Sequence, residues 1–328
     1  MKNLLKKPGT IILLLIVIIA GTYFTLKKSP ADAAPNQHSE LKGTINISGA
    51  FALYPLAVRW ADEFKKQHPA VRFNISAGGA GKGIADALGG LVDIGLVSRD
   101  IYPEEINKGA YVIHVTKDAV LPTFNTNNPN KKPLLERGIK KEEFAKIFTA
   151  GNIKNWNQLQ GLTTPLDLHI YTRSDAAGAA ESWASFFDKK QEDLNGVAIF
   201  GDPGLAEAVK KDAGAVGFNN IAYVYDLKTR KPIPGILPIP VDVNGNGKID
   251  REEDFYETVD QLTTAIASGK YPSPPARRLG FLFKGKPQKE ELKAFVNYAL
   301  TEGQKFVEES GYVSLSGETL KQEIEKVK

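Results

Sequence analysis

Short apolar runs alternate with amphipathic segments along most of this chain, and glycines crowd the junctions between them. Gly43 to Ile47 (GTINI) reads as a buried strand, and bulky side chains at Leu56, Trp60 and Phe64 then recur at one-turn spacing, as on the buried stripe of a helix. Val71 to Ile75 (VRFNI) is the next strand, a helix opens at Gly83 and runs to Leu88, and Val92 to Val97 (VDIGLV) is another buried run. Alternation this close predicts crossover helices over mostly parallel sheets, an α/β fold whose ligands sit beyond the carboxyl ends of the strands. The 328 residues suffice for about two domains of ordinary size.

The densest glycine cluster, Ser76 to Gly83 (SAGGAGKG), falls between a strand and a helix, where backbone N–H groups of a helix N-terminus can face an anion. It is not a nucleotide loop. A P-loop would need Gly at Ser76 and a hydroxyl at Gly83, and the dinucleotide pattern fails at Ile84, where its third Gly belongs. Taken alone, the cluster reads equally as a tight, flexible turn.

The first 28 residues are a targeting segment. Lys2, Lys6 and Lys7 precede an uncharged apolar run, Thr10 to Leu26, which Lys27 and Lys28 close. Its length lies between a signal-peptide core and a short membrane span, so two outcomes stay open: removal at Ala31-Asp32-Ala33, or retention as an anchor with its N-terminus in the cytoplasm. Both place the remainder in the cell envelope outside the cytoplasmic membrane, periplasmic or anchored there. Residues 29–42 are rich in Pro, Ala and polar side chains and read as a flexible tether.

Five lysines and no acid lie in that targeting segment, which leaves 37 of the 42 basic residues against all 38 acidic ones. A nearly neutral body without a basic patch excludes nucleic acid as a partner. The absence of cysteine excludes disulfides, thiolate metal sites, cysteine nucleophiles and an N-terminal lipoprotein cysteine. A search for catalytic patterns finds no Gly-x-Ser-x-Gly elbow and no His-Glu-x-x-His pair. The four histidines, His38, His68, His114 and His169, lack ligand spacing, so the chain is not expected to be an enzyme.

Ile45 to Pro55 (INISGAFALYP), the His68-Pro69 pair, the glycine-rich turn, Val92 to Gly95 and Ser98-Arg99-Asp100-Ile101 follow one another in an order that resembles the phosphate-binding receptor of the bacterial phosphate ABC importer. Ile147 to Leu159, Ile170 to Trp183 (IYTRSDAAGAAESW), Gly214 to Phe218, Tyr271 to Phe283 and Gly303 to Val313 resemble its later blocks. The resemblance implies a two-lobed type II periplasmic-binding-protein fold, each lobe a mostly parallel sheet flanked by helices. Lobe one would comprise 43–118 and 276–328, and lobe two 119–275. It further implies a monomer that closes on phosphate or a related oxyanion and presents it to an ABC importer permease.

By the same resemblance the anion site comprises Gly49, Ala50, Phe51 and Ala52, then Gly79, Ala80 and Gly81, then Ser98, and finally Arg173, Ala177, Gly178 and Ala179. Several of these depart from the family. Gly49-Ala50-Phe51-Ala52 stands where the family usually has Gly-Ser-Thr-Thr or a similar hydroxyl-rich turn, Ala80 where it has a serine, and Ala176-Ala177-Gly178-Ala179 where it has Gly-Ser-Gly-Thr, while Arg173, Ser98 and Gly178 keep its pattern. A hydrogen bond to a charged group contributes about 1.5 to 3 kcal/mol, so four absent hydroxyls remove on the order of 6 kcal/mol from a site whose micromolar affinity corresponds to about 8. Two functions follow. Either backbone amides with Arg173, Ser98 and Lys82 still hold an oxyanion, or the chain is a membrane-tethered sensor or scaffold that has lost high-affinity phosphate binding. Arg173 also admits a plain reading as a surface arginine paired with Asp175.

One motif stands outside the resemblance. Asp242 to Glu253 (DVNGNGKIDREE) carries Asp242, Asn244, Asn246, Gly247, Lys248, Asp250 and Glu253 at positions 1, 3, 5, 6, 7, 9 and 12 of an EF-hand loop. Oxygens so spaced converge on a hard cation, with a backbone carbonyl from Lys248, and a structural Ca²⁺ is expected there. The plain alternative is an Asn-Gly turn leading into a helix at Phe255.

Overall fold

A computed structural model describes residues 40–328; the targeting segment and the tether up to residue 39 lie outside the described residues. Eleven strands are present among them: β1 Gly43–Gly49, β2 Val71–Ala77, β3 Ile94–Val97, β4 Ala110–Asn125, β5 Ile139–Lys140, β6 His169–Arg173, β7 Val197–Ile199, β8 Ala215–Asn220, β9 Ile236–Pro238, β10 Val241–Asp242 and β11 Ala276–Lys284. One curled sheet runs in the order β2-β1-β3-β11-β4-β8-β6-β7, with β9 joined to β4, and β5 pairs with β10 in a separate ribbon. Helices flank it, giving a mixed α/β architecture.

The sheet differs from the expected mostly parallel arrangement. The β1–β2, β1–β3, β6–β7 and β6–β8 pairs are parallel, but β11 is antiparallel to β3 and β4, and β4 is antiparallel to β8 and β9. Strand β4 is the cause. It is long enough to pair with β11 through its first part (Ala110 to Ala119) and with β8 through its second (Val120 to Phe124), so the chain passes along it and returns on β11 in the opposite sense.

Two large apolar clusters lie along that sheet. One gathers Ile45, Trp60, Phe64, Phe281 and Phe295, and the other Phe124, Phe148, Trp156, Trp183 and Phe218, all with 0 or 1% of their surface exposed. Burying a side chain of this size is worth about 1.5 to 3 kcal/mol, which ties the flanking helices down and fixes where their N-termini point.

The helix Ala80–Leu88 begins three residues before Gly83, because the loop ends at Gly79, whose φ of +90° closes the turn. Gly83 is therefore a packing residue inside the helix: a Cβ there would lie 2.7 Å from Gly49 Cα and 2.9 Å from Leu96 O. Near the other end of the chain, the charged segment from Glu318 reads as a solvated helix, and the helix Gly317–Val327 does form. It is docked rather than solvated, since Glu323 is 3% exposed and accepts bonds from the His114 backbone N–H at 3.0 Å and from the Lys326 ammonium at 2.8 Å.

Candidate functional site

Three helix N-termini meet at one point of the described structure. They belong to the helices Tyr54–Gln67, Ala80–Leu88 and Gly178–Ser185, and none carries a side-chain cap. The helix dipole is positive at that end, so three such ends together favour an anion. The first N–H groups of Ala80–Leu88 and Gly178–Ser185 add donors, whereas Tyr54 N–H is taken by the Ala50 carbonyl at 3.2 Å and Pro55 has none, so there the turn Ala50 to Ala52 faces the point. Ala50, Phe51, Ala52, Gly79, Ala80, Ala177, Gly178 and Ala179 line the point, with Ser98, Arg173, Asp202 and Asn220. Gly49 and Gly81 stand just outside it. The Gly49 carbonyl accepts from the Gly78 and Gly79 amides, and the Gly81 amide donates to the Ala176 carbonyl at 2.9 Å.

Arg173 ends β6 and is no surface residue: its side chain is 1% exposed. Its Nε and Nη2 donate to the two carboxylate oxygens of Asp175 at 2.8 and 2.6 Å, and its Nη1 donates to Asp202 Oδ2 at 2.6 Å. Burial works against its charge, but the carboxylates of Asp202 and Asp175 outweigh burial and hold its pKa above the ordinary arginine value. The ring of Phe51 lies 5.4 Å from the guanidinium, meets Phe200 edge-on at 5.9 Å, and packs where a Cβ on Gly201 would be 2.9 Å away.

Asp202, in the first turn of the helix Gly201–Lys211, is fully buried. Its Oδ1 accepts from the Asn220 amide at 3.0 Å, and its own carbonyl accepts from Asn219 Nδ2 at 3.0 Å. Below it Arg277, on β11, donates through Nη2 to Asn220 Oδ1 and through Nε to the Ser98 carbonyl at 3.3 Å, and stands 3.7 Å from Asp118 Oδ2. Burial raises the Asp118 carboxyl to about 6 even though Arg277 pulls it down. Asp118, Arg277, Asp202, Arg173 and Asp175 thus form a buried series of alternating charge, three carboxylates against two guanidiniums.

The site is shut. The space its lining encloses does not admit a water-sized sphere, and a Cβ on Gly178 would fall 2.2 Å from Ser98 Oγ. Lys82 is turned away, its ammonium on Asp86, which also takes the Ser48 hydroxyl at 2.6 Å.

Sequence reasoning missed Asp202, Asn220, Asp118 and Arg277. An aspartate in the first turn of a helix, as in Gly201-Asp202-Pro203-Gly204, ordinarily reads as a partner for the helix dipole, and nothing in its spacing ties it to an arginine 29 residues earlier.

The model of the PBP superfamily domain matches residues 34–302. The chain belongs to the PBP superfamily. Among superfamily relatives, the phosphate-binding protein PstS of Bacillus subtilis is 29% identical over 244 residues, covering 71% of this chain and 78% of that protein. Protein SphX of Synechococcus elongatus is 26% identical over 316 residues, covering 93% of this chain and 84% of that one. In solved structures, the fold is shared with an ABC-type phosphate transport receptor from Vibrio cholerae (TM-score 0.60, 20% identity, 83% of this chain and 100% of that one). It is shared also with a high-affinity periplasmic phosphate-binding protein bound with phosphate (TM-score 0.67, 13% identity, 85% of this chain and 92% of that one).

The EF-type loop lies apart from this site, entered from β10 rather than from a helix and followed by the helix Val259–Ala267, not by one at Phe255. Asp242 and Glu253 are 2% and 7% exposed. Asp242 accepts the Gly245 and Gly247 amides at 2.7 and 2.8 Å, and Glu253 accepts those of Val243 and Asn244 at 2.9 and 3.0 Å. Asn244, Asn246 and the Lys248 ammonium all donate to Asp250, and Lys248 first among them holds the Asp250 carboxyl below its ordinary value. Among the described residues no three His, Asp or Glu side chains form a ligating cluster, so any cation here would draw on the asparagine and carbonyl oxygens too.

Proposed function

We propose that this chain is an exported solute-binding protein that captures phosphate or a related oxyanion between two lobes, 43–118 with 276–328 and 119–275, and delivers it to the permease of an ABC importer. The observation that carries the reading is the meeting of three uncapped helix N-termini around one buried arginine. A desolvated oxyanion needs many neutral donors and little net positive charge, and helix amides with one guanidinium supply both. The named relatives that bind phosphate support the choice of anion. The protein binds and does not turn over its ligand. The lobes part along β4 and β11, the anion enters, and closure excludes water. The protein acts as a monomer outside the cytoplasmic membrane, either freed from its N-terminal segment or held by it.

Calorimetric titration of phosphate into the full chain, in mild detergent and stripped of bound anion by gentle unfolding, tests the proposal. Micromolar heat supports capture. No heat and no thermal shift at millimolar phosphate would sink it, leaving a scaffold or sensor with the same fold.

Ca²⁺ is proposed as a structural ligand of the loop through Asp242, Asn244, Asn246, the Lys248 carbonyl, Asp250 and Glu253, supported by the spacing and by the burial of Asp242 and Glu253. Ca²⁺ should raise the thermal midpoint, a chelator should reverse the rise, and Asp242→Ala should abolish it. An unmoved midpoint refutes the loop as a calcium site.

A further inference from the structure

We infer that Asp202 is a resident counter-anion for Arg173, so that the site takes its ligand by exchange and Asp202 sets the affinity. The inference rests on the oxyanion reading above and deepens it.

A guanidinium presents five N–H donors. Asp175, two residues on, takes one edge of Arg173 side-on through Nε and Nη2, which orients the group. Of the edge that remains, made by the second N–H of Nη2 and the two of Nη1, Nη1 already donates to Asp202 at 2.6 Å, so an anion seated side-on there meets the Asp202 carboxylate. That contact is no loose surface pairing. Asp202 and Arg173 side chains are each 1% exposed, and Asp202 is fixed from behind by the Asn220 amide and by Asn219. It arrives on the first turn of a separate helix, while the aromatic ring of Phe51 covers the guanidinium and packs against Gly201, the residue before Asp202.

The charge count points the same way. Arg173 is compensated twice before any ligand arrives, and with Asp118 and Arg277 the buried series already carries one excess negative charge. A phosphate added beside an intact Asp202–Arg173 pair would put like charges together in a low-dielectric site. It must instead displace the Asp202 carboxylate from Nη1 as the lobes part. A chain with these residues therefore binds more weakly than its helix termini and arginine alone would allow, and only where the external anion outnumbers the tethered one.

Phosphate titrations of the full wild-type chain and of Asp202→Asn decide the matter. Asparagine keeps an oxygen for the Asn220 amide and removes the competing charge. Asp202→Asn should bind phosphate about tenfold tighter or more, and Arg173→Gln should abolish that gain. Equal affinities, or weaker binding by Asp202→Asn, would overturn the exchange while leaving phosphate capture in place. If both chains melt cooperatively and neither binds, the inference and the proposed function fall together. Should Asp202→Asn not fold, Asp202→Ser, which also removes the charge, is judged by the same outcomes.

Discussion

Replacing Arg173 by leucine isolates the energetic weight of the closed site. The change removes three short charge-assisted bonds and leaves Asp175 and Asp202, 6% and 1% exposed at their side chains, facing apolar surface with no cation. Taking away one partner of a buried ion pair costs about 3 to 5 kcal/mol, most of it the desolvation of the charge left behind. In a chain of this size that lowers the thermal midpoint by roughly 5 to 8 °C. The intact network, by contrast, is worth little against a neutral one, because its attraction mainly offsets its own desolvation. Arg173→Leu combined with Asp175→Asn and Asp202→Asn should therefore recover more than half of the loss. Differential scanning calorimetry of the single and triple variants measures both effects. A single variant that melts within about 1 kcal/mol of wild type, or a triple variant as unstable as the single one, would refute the assignment of the cost to uncompensated carboxylates.

Other consequences are as direct. Gly178→Ala places a methyl 2.2 Å from Ser98 Oγ and 2.6 Å from the Ser98 carbonyl, so the helix Gly178–Ser185 and the segment at Ser98 should rest further apart. Small-angle scattering should show a larger radius of gyration and calorimetry should show the phosphate heat lost; an unchanged radius contradicts the packing described. Asp118, raised by burial to about 6, contributes stability that is fully present below the ordinary carboxylate value and lost as pH rises through about 6. The midpoint of wild type minus that of Asp118→Asn should accordingly fall between about pH 4 and about pH 7, and a flat difference would show that burial does not raise this carboxyl. Gly49→Ala, at a φ of +135° and with its Cβ 2.5 Å from Leu96 O, should destabilise the chain by more than about 1 kcal/mol in urea.

The strand and helix alternation was legible because apolar period and glycine punctuation are local. Leu56, Trp60 and Phe64 do face one core, and Gly79 does close its turn. The antiparallel centre of the sheet was not, because β4 and β11 are adjacent only in space and either would read alone as one more buried strand. At the site, the glycine and alanine loops were visible as departures from a familiar pattern. The charged partner of Arg173 was not. Alanines at hydroxyl positions signal loss, whereas the carboxylate that meets Arg173 comes from a different helix and depends on the packing of the helix Gly201–Lys211 against β8 and β6. The burial of Arg173 was hidden for the same reason, since an Arg-x-Asp spacing looks alike on a surface and in a core.

Strand β11 lies between β3 and β4 in the sheet, although Val97, the last residue of β3, precedes Ala276, the first of β11, by 179 positions. A chain leaving the ribosome in order thus offers β1, β2 and β3 with an open edge, while the residues around Phe124, Trp156 and Phe218 already have every strand they need. The part begun first is finished last. At about 5 to 20 residues per second, the delay lasts roughly 10 to 40 seconds, and throughout it the fully buried strand Ile94–Val97 is a bare apolar edge. Until β11 arrives, that edge among the described strands needs a chaperone's cover.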